Sequence, residues 1–263
     1  MKYETILWDL DGTLTDPKPG ITRSVQHALL ALGIEVDDPE SLTPYIGPPL
    51  REGFARYHGI PEHQLEDAVR HYRARFIEVG MFENAVIDGV PELLEALRRD
   101  RRCMAIATAK PEPQALIILE HFGLLDFFAT VGAATLDTTR ITKDDVIEHT
   151  LELLGIAEDA EARAMAVMIG DRDHDIRGAQ SHGLATIAVT WGYASAGELE
   201  AADPDLIVHD LAQLAAALQL PDERVDLRAR PTRGALDAQI RVAPEFDETS
   251  DELIVSCIDE ELG

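Results

Sequence analysis

Apolar positions along this chain follow two rhythms. Residues 4–9 set Ile6, Leu7 and Trp8 side by side, a short run that predicts a buried strand. Pro17, Pro19 and Gly20 then predict a loop. Beyond it Ile21, Val25, Ala28, Leu29 and Leu32 recur at helical spacing, and Gly33 ends the run. Leu50, Phe54 and Tyr57 form a second helical stripe after Pro48-Pro49. Leu65, Val69, Tyr72, Phe76 and Val79 form a third. No strand pattern interrupts residues 17–82, which are therefore expected to be an all-helical insert.

From Pro91 the two rhythms alternate. A helix around Val90, Leu93, Leu94 and Leu97 leads to "CMAIAT" at 103–108. One around Ala115, Ile118, Leu119 and Phe122 leads to "FATVGA" at 128–133. Val146, Ile147, Leu151 and Leu154 mark the helix before "MAVMI" at 165–169. Helices near 174–182 and 195–201 lead to "LATIAV" at 184–189 and "DLIVHD" at 205–210, and a last helix ends near Leu220. Such alternation predicts an α/β fold, a parallel sheet with helices on both faces. Ligands of such sheets bind beyond the carboxyl ends of the strands. Residues 1–16 and 83–220 are expected to form this core. The tail, 221–263, breaks the alternation. It has no basic residue beyond Arg241 and carries Glu245, Asp247, Glu248, Asp251, Glu252, Asp259, Glu260 and Glu261. Its patches "QIRVA" and "ELIVSC" fit edge strands as well as they fit an unfolded acidic extension.

Composition narrows the reading. With 263 residues, 46% of them hydrophobic, the chain has enough for a sizeable core plus a smaller module. No apolar run approaches the roughly 18 residues that a membrane span needs. The opening "MKYETILWDLDG" shows no secretory leader. Two cysteines, Cys103 and Cys257, are too few for a disulfide framework. A cytoplasmic protein is expected. The net charge of −26 argues against nucleic acid as a partner. Lysine occurs only at positions 2, 18, 110 and 143, so each lysine is worth weighing.

Every informative polar residue falls just past a predicted strand or at the start of a helix. Asp9 and Asp11 follow the first strand; Thr108, Ala109 and Lys110 follow the second; "GDRDHD" at 170–175 follows the fourth. Lys143 opens a helix. A parallel sheet would gather these groups at one edge. Asp9, Asp11, Asp171 and Asp175 would then crowd together, and like carboxylates a few ångströms apart need compensation. A hard dication with oxygen ligands supplies it, and Mg²⁺ is usual where a phosphate completes the shell. One carboxylate could attack phosphorus, and a second could act as acid and then base. Gly12 permits a turn whose N–H groups can bind phosphate oxygens. Thr108 can donate from its hydroxyl, and Lys143 can hold phosphate as a point charge.

The segments "DLDGTLTD" (9–16), "ATAKP" (107–111), "RITKDDVI" (140–147) and "IGDRDHDIRGA" (169–179) resemble the haloacid dehalogenase-like hydrolases, in their phosphoglycolate-phosphatase-like branch. The resemblance covers about residues 1–220. It implies a Rossmann-like core with an inserted helical cap. It also implies Asp9 as nucleophile and Asp11 as general acid and base. Thr108, Ala109, Gly12 and Lys143 would bind the phosphate end of the substrate. Asp9, the Asp11 carbonyl and Asp171 would hold Mg²⁺, with Asp175 in support. "YIGPPLREGF" at 45–54 resembles the cap segment that faces the site, and Arg23 and Arg51 are candidates for gripping a substrate anion. Pro17, Ala109 and Asp144 stand where Ser, Asn and Pro are common in that branch. "TAKP" and "RxxK" look more like nucleotidase-like members. Asp11 argues against dehalogenation.

The expected function is Mg²⁺-dependent hydrolysis of a small phosphorylated metabolite by a monomer or homodimer. A phosphosugar mutase with the same motifs is one alternative. A protein whose acidic tail recruits a partner, with the enzyme core secondary, is another.

Overall fold

The computed structural model describes residues 3–47, 49–136 and 139–220. The acidic extension, with Cys257, lies outside the described residues. The chain begins with strand β1 (Thr5–Trp8) and a two-residue strand β2 (Thr15–Asp16). Helices α1 (Lys18–Ala31), α2 (Leu50–His58) and α3 (Glu62–Arg75) follow, with a 3₁₀ segment at Pro39–Tyr45 and a π turn at Phe76–Gly80. Strand β3 (Ala85–Val86) returns the chain to the core. Then come α4 (Val90–Arg99), β4 (Cys103–Pro111), α5 (Glu112–His121), β5 (Thr130–Ala134), α6 (Lys143–Leu153) and α7 (Ala160–Ala164). The last described elements are β6 (Ala166–Gly170), α8 (Asp173–Ser181), β7 (Ala185–Val189), α9 (Glu198–Ala202), β8 (Leu206–Val208) and α10 (Leu211–Ala217).

Six strands form one sheet in the order β5-β4-β1-β6-β7-β8. Every neighbouring pair is parallel. The expected α/β architecture, a Rossmann-like sheet between helical layers, is the observed one. Successive residues of β1 face opposite layers, as a strand's period of two requires. Ile6 and Trp8 belong to the apolar cluster that holds Leu93, Ile118 and Leu214. Leu7 joins Val146, Ile147, Leu151 and Ala179 on the other face. The first cluster runs on without a break into Val25, Leu29, Phe54 and Leu65 of the helical insert. The insert is joined to the core by two chain segments that pair as a short antiparallel ladder, Thr15 with Val86 and Asp16 with Ala85.

Three local expectations change. Pro17, Pro19 and Gly20 do not form a loop: Pro17 caps α1 and Pro19 lies in its first turn. A helix's first N–H groups have no partner within it, so proline is tolerated there. Gly20 is needed in this helix because a Cβ would come within 1.9 Å of the Gly80 carbonyl oxygen. Second, Val79 points outward, while Ile77 and Met81 are buried. The π turn carries one residue more than the α spacing allows, and the Met81 N–H reaches back to the Phe76 carbonyl at 2.8 Å. Third, β4 runs on past Thr108 to Pro111 through a shift in register. Ala109 and Lys110 therefore sit in an irregularity of the strand, a device that re-aims side chains.

Candidate active site

The central strand β1 lies between β4 and β6, with Trp8 level with Ile106 on one side and Ile169 on the other. Chain connections leave β1 toward one edge of the sheet and β6 toward the other. That reversal opens a crevice at the carboxyl ends. Asp9 is the first residue beyond β1, and its N–H donates to the Ile169 carbonyl at 2.9 Å. Asp171 is the first beyond β6, and Asp175 lies in the first turn of α8. Lys143 is the first residue of α6, fixed by a capping box in which Thr142 and Asp145 bond reciprocally. Gly132 lets α6 approach the sheet, since a Cβ there would lie 1.8 Å from the Thr150 hydroxyl.

These groups meet. Lys143 Nζ donates to Asp9 Oδ1 at 2.6 Å and to the Ala107 carbonyl at 2.8 Å. It also pairs with Asp175 Oδ1 at 2.8 Å. Exposure is 6% for Asp9, 1% for Asp171 and 0% for Asp175. Burial disfavours charge on Lys143, but Asp175 and Asp9 more than reverse this and raise its pKa. Burial also dominates Asp9, and the pull of Lys143 does not stop its pKa from rising. For Asp175 burial again pushes upward, but Lys143, His174 and the Arg172 N–H together lower the pKa. Asp171 is held by neutral donors, the Tyr193 N–H at 2.7 Å and the Thr13 hydroxyl at 3.5 Å. Burial, then Asp175 and Asp9, push it well above the usual carboxylate range.

Asp9, Asp171 and Asp175 can each turn one carboxylate oxygen to within 4.8 Å of the others. Three buried carboxylates against one ammonium leave negative charge uncompensated. A hard, oxygen-seeking cation fits that donor set. Small residues make the space: a Cβ on Gly12 or Gly192 would lie 2.4 or 2.1 Å from Asp171 Oδ2, and one on Gly170 would lie 2.4 Å from Asp175.

Asp11 is placed differently. Its carboxylate is not part of that cluster; Oδ2 pairs with Lys110 Nζ at 2.7 Å and Oδ1 is buried without a partner. Asp11 still lies close enough to Asp9 to raise that group's pKa. Gly12 adopts the expected left-handed turn at φ +87°. Its N–H is taken by the Thr15 carbonyl at 2.7 Å, so it offers no donor to phosphate in this state and contributes room for Asp171 instead. Thr108 is buried in β4 just before its shift in register, where its oxygen accepts from the Lys110 N–H at 3.3 Å. Ala109 beside it is exposed. Arg23 and Arg51 are not brought to the carboxylates. Arg23 pairs with Glu83 at 2.8 Å, and Arg51 pairs with Glu62 and, at 3.4 Å, with Glu66. Each is held instead by a nearby glutamate, Arg23 by Glu83, which also takes Arg75, and Arg51 by two exposed glutamates of α3.

Sequence reasoning assigned no role to Lys110, Thr13, Tyr193 or Arg172. Lys110 could have been found from the scarcity of lysine. It touches Asp11 and also lies 4.8 Å from the ring centroid of Phe76 in the insert. The Tyr193 hydroxyl donates to Asp16 in β2 while its N–H holds Asp171. Nothing in the local pattern "WGYAS" signals that double contact.

The sequence profile of the haloacid dehalogenase-like hydrolases matches residues 6–189. The chain belongs to that family. Among its relatives is a 5′-nucleotidase of Pseudomonas aeruginosa, 44% identical over 219 residues, which are 83% of this chain and 97% of that one. The tyrosine-protein kinase PtkA of Mycobacterium tuberculosis is 37% identical over 209 residues, 78% of this chain and 68% of its own length. A candidate phosphatase from Clostridium difficile superposes with a TM-score of 0.76 at 37% identity, over 83% of this chain and 99% of that one. This haloacid dehalogenase-like hydrolase is a phosphoric monoester hydrolase of the phosphoglycolate-phosphatase-like and nucleotidase-like branch. Among the described residues no helix is long and apolar enough to cross a membrane.

Proposed function

We propose that this hydrolase is a cytoplasmic, Mg²⁺-dependent phosphatase of small phosphomonoesters, nucleoside 5′-monophosphates foremost, acting through an aspartyl-phosphate on Asp9. One observation carries the reading: Lys143 pins a single oxygen of Asp9, which shares a buried cluster with Asp171 and Asp175. Asp9 Oδ2 is then the oxygen that attacks phosphorus. As that bond forms, the ester oxygen leaves and takes a proton from Asp11, which must carry one at this step. Asp11 next removes a proton from water, whose oxygen attacks the same phosphorus and releases Asp9. Thr108 accepts from the backbone through its oxygen and keeps its hydrogen to donate to phosphate. Lys143 offsets the charge on Asp9 and steadies its aim. Asp9, the Asp11 carbonyl and Asp171 would hold the ion, with Asp175 in support. When bound, it would offset the negative charge that gathers between phosphate and carboxylate.

For the substrate class, the likeness to the 5′-nucleotidase along almost all of that protein's length supports a nucleotide over phosphoglycolate. The test is phosphate release by metal-stripped protein, with and without added Mg²⁺, from a panel of nucleoside monophosphates, 2-phosphoglycolate and hexose phosphates. Release from nucleotides that needs Mg²⁺ is expected. Asp9→Asn should lower kcat by at least about 10⁴-fold. Normal turnover by that variant would overturn the nucleophile, and phosphoglycolate as the best substrate would overturn the substrate class. Isomerised hexose phosphate without free phosphate would mean a mutase.

A further inference from the structure

The carboxylates at the site are almost fully buried, and the helical insert, or cap, meets the core beside them, with Phe76 against Lys110 and the Ile46 carbonyl on Arg172. A cap that admits substrate and then excludes water has to lift and return. Something in the molecule must therefore hold the cap down reversibly. Arg172 is built for this. It follows Asp171 directly, and its own N–H donates to Asp175 Oδ2 at 3.0 Å. Its backbone is thus part of the acidic cluster's frame. Its side chain goes the other way. Nη1 donates to the Ile46 carbonyl of the cap at 2.8 Å, and Nε donates to Glu198 Oε1 at 2.7 Å.

Two further features show that the seat is shaped for the guanidinium. Glu198 also accepts from the N–H groups of Asp173 at 3.2 Å and Ser195 at 2.9 Å, so the carboxylate that aims Arg172 is itself anchored to the core. On the cap side, Gly47 has φ +107° and a Cβ there would stand 1.9 Å from Arg172 Nη1. The chain at "YIGPP" gives up a side chain where the arginine arrives.

We propose that Arg172 is a positioning residue: a latch from the acidic cluster to the Ile46–Gly47 turn that sets how firmly the cap closes on a bound phosphomonoester. It acts through the cap and touches no reacting atom. The prediction concerns substrate retention more than chemistry. A charge-assisted hydrogen bond lost at a partly buried contact moves a closing equilibrium by about tenfold or more.

The experiment uses the full chain with p-nitrophenyl phosphate, comparing Arg172→Ala, Arg172→Lys and Gly47→Ala with wild type. Steady-state kinetics give kcat, KM and the Mg²⁺ concentration for half-activation, and amide exchange follows peptides covering residues 45–58. Arg172→Ala should raise KM by about tenfold with a smaller change in kcat, and should speed exchange in the cap peptide. Gly47→Ala, which alters the cap side of the contact and no carboxylate, should reproduce both effects, and Arg172→Lys should recover part of each. The proposal is overturned if cap exchange keeps its wild-type rate in both Arg172→Ala and Gly47→Ala. It is equally overturned if Arg172→Ala weakens Mg²⁺ activation tenfold while KM and cap exchange stay put, because Arg172 would then serve the carboxylates alone.

Discussion

The core and the cap spend their cations in opposite ways. Lys143 is buried at the end of the sheet, where it donates to Asp9 and a carbonyl and pairs with Asp175, all at 2.6–2.8 Å. Arg51 stands half-exposed on the cap between Glu62 and Glu66, and Arg23 stands half-exposed on Glu83. In the core the lysine's charge is fully committed, because no water replaces a lost partner. On the cap, water competes for every pair, and the pairs are worth little. Chemistry should therefore be brittle where Lys143 sits and tolerant where the cap arginines sit.

Lys143→Ala is the harshest test of that contrast. It leaves Asp9 and Asp175 buried against each other without their cation. Urea unfolding of the metal-free variant should show a loss of about 3–5 kcal/mol, and phosphate release should all but cease. A loss below about 1 kcal/mol, the range of exposed pairs, would erase the distinction between the two regions.

The same contrast explains what the sequence disclosed. Strand ends are read from apolar runs, and the topology of a parallel sheet then brings Asp9, Asp171 and Lys143 together without knowledge of any distance. Gly170 and Asp175 are legible for the same reason. The two-residue strands β2 and β3 are not, because two residues carry no period. The α1 start was hidden because Pro17 and Pro19 are at once loop formers and first-turn residues. Val79 was misplaced because a π turn leaves no mark in a 3.6-residue spacing. Arg23 and Arg51 looked available because a sequence does not tell which glutamate of a solvated helix face lies opposite. Arg172 was passed over although it sits inside the most informative motif, since its partner, a backbone carbonyl at Ile46, has no letter of its own.

A milder test lies where the cap joins the core. Glu83 accepts from Arg75 at 2.8 and 3.1 Å and from Arg23 at 2.8 Å. Burial alone would raise its pKa, but these arginines override it and hold the carboxyl below its usual range. A group with a lowered folded pKa contributes stability above its unfolded value, and that contribution is lost as pH falls through the folded value. Wild type should therefore exceed Glu83→Gln by about 1 kcal/mol above pH of about 5. The gap should close below pH of about 4. Urea midpoints of the two proteins across that range measure it. A gap that persists at low pH would assign Glu83 a packing role and make this part of the cap resemble the core.

The smallest effect is expected from Arg51→Ala. Arg51 reaches only exposed glutamates, so stability should stay within about 0.5 kcal/mol of wild type, and KM for a nucleoside monophosphate should not move. The interest lies in the opposite outcome. Arg51 is the second residue of α2, which begins at Leu50, three residues after Gly47 of the turn that Arg172 grips. If a bound substrate drew that turn down further, Arg51 could exchange Glu62 and Glu66 for a substrate anion, and KM would rise while stability held. Steady-state KM and a urea midpoint, measured on the one variant, separate the two cases. A rise in KM alone would show that the cap's ion pairs are a resting place for a substrate ligand, and that their looseness is what lets it leave.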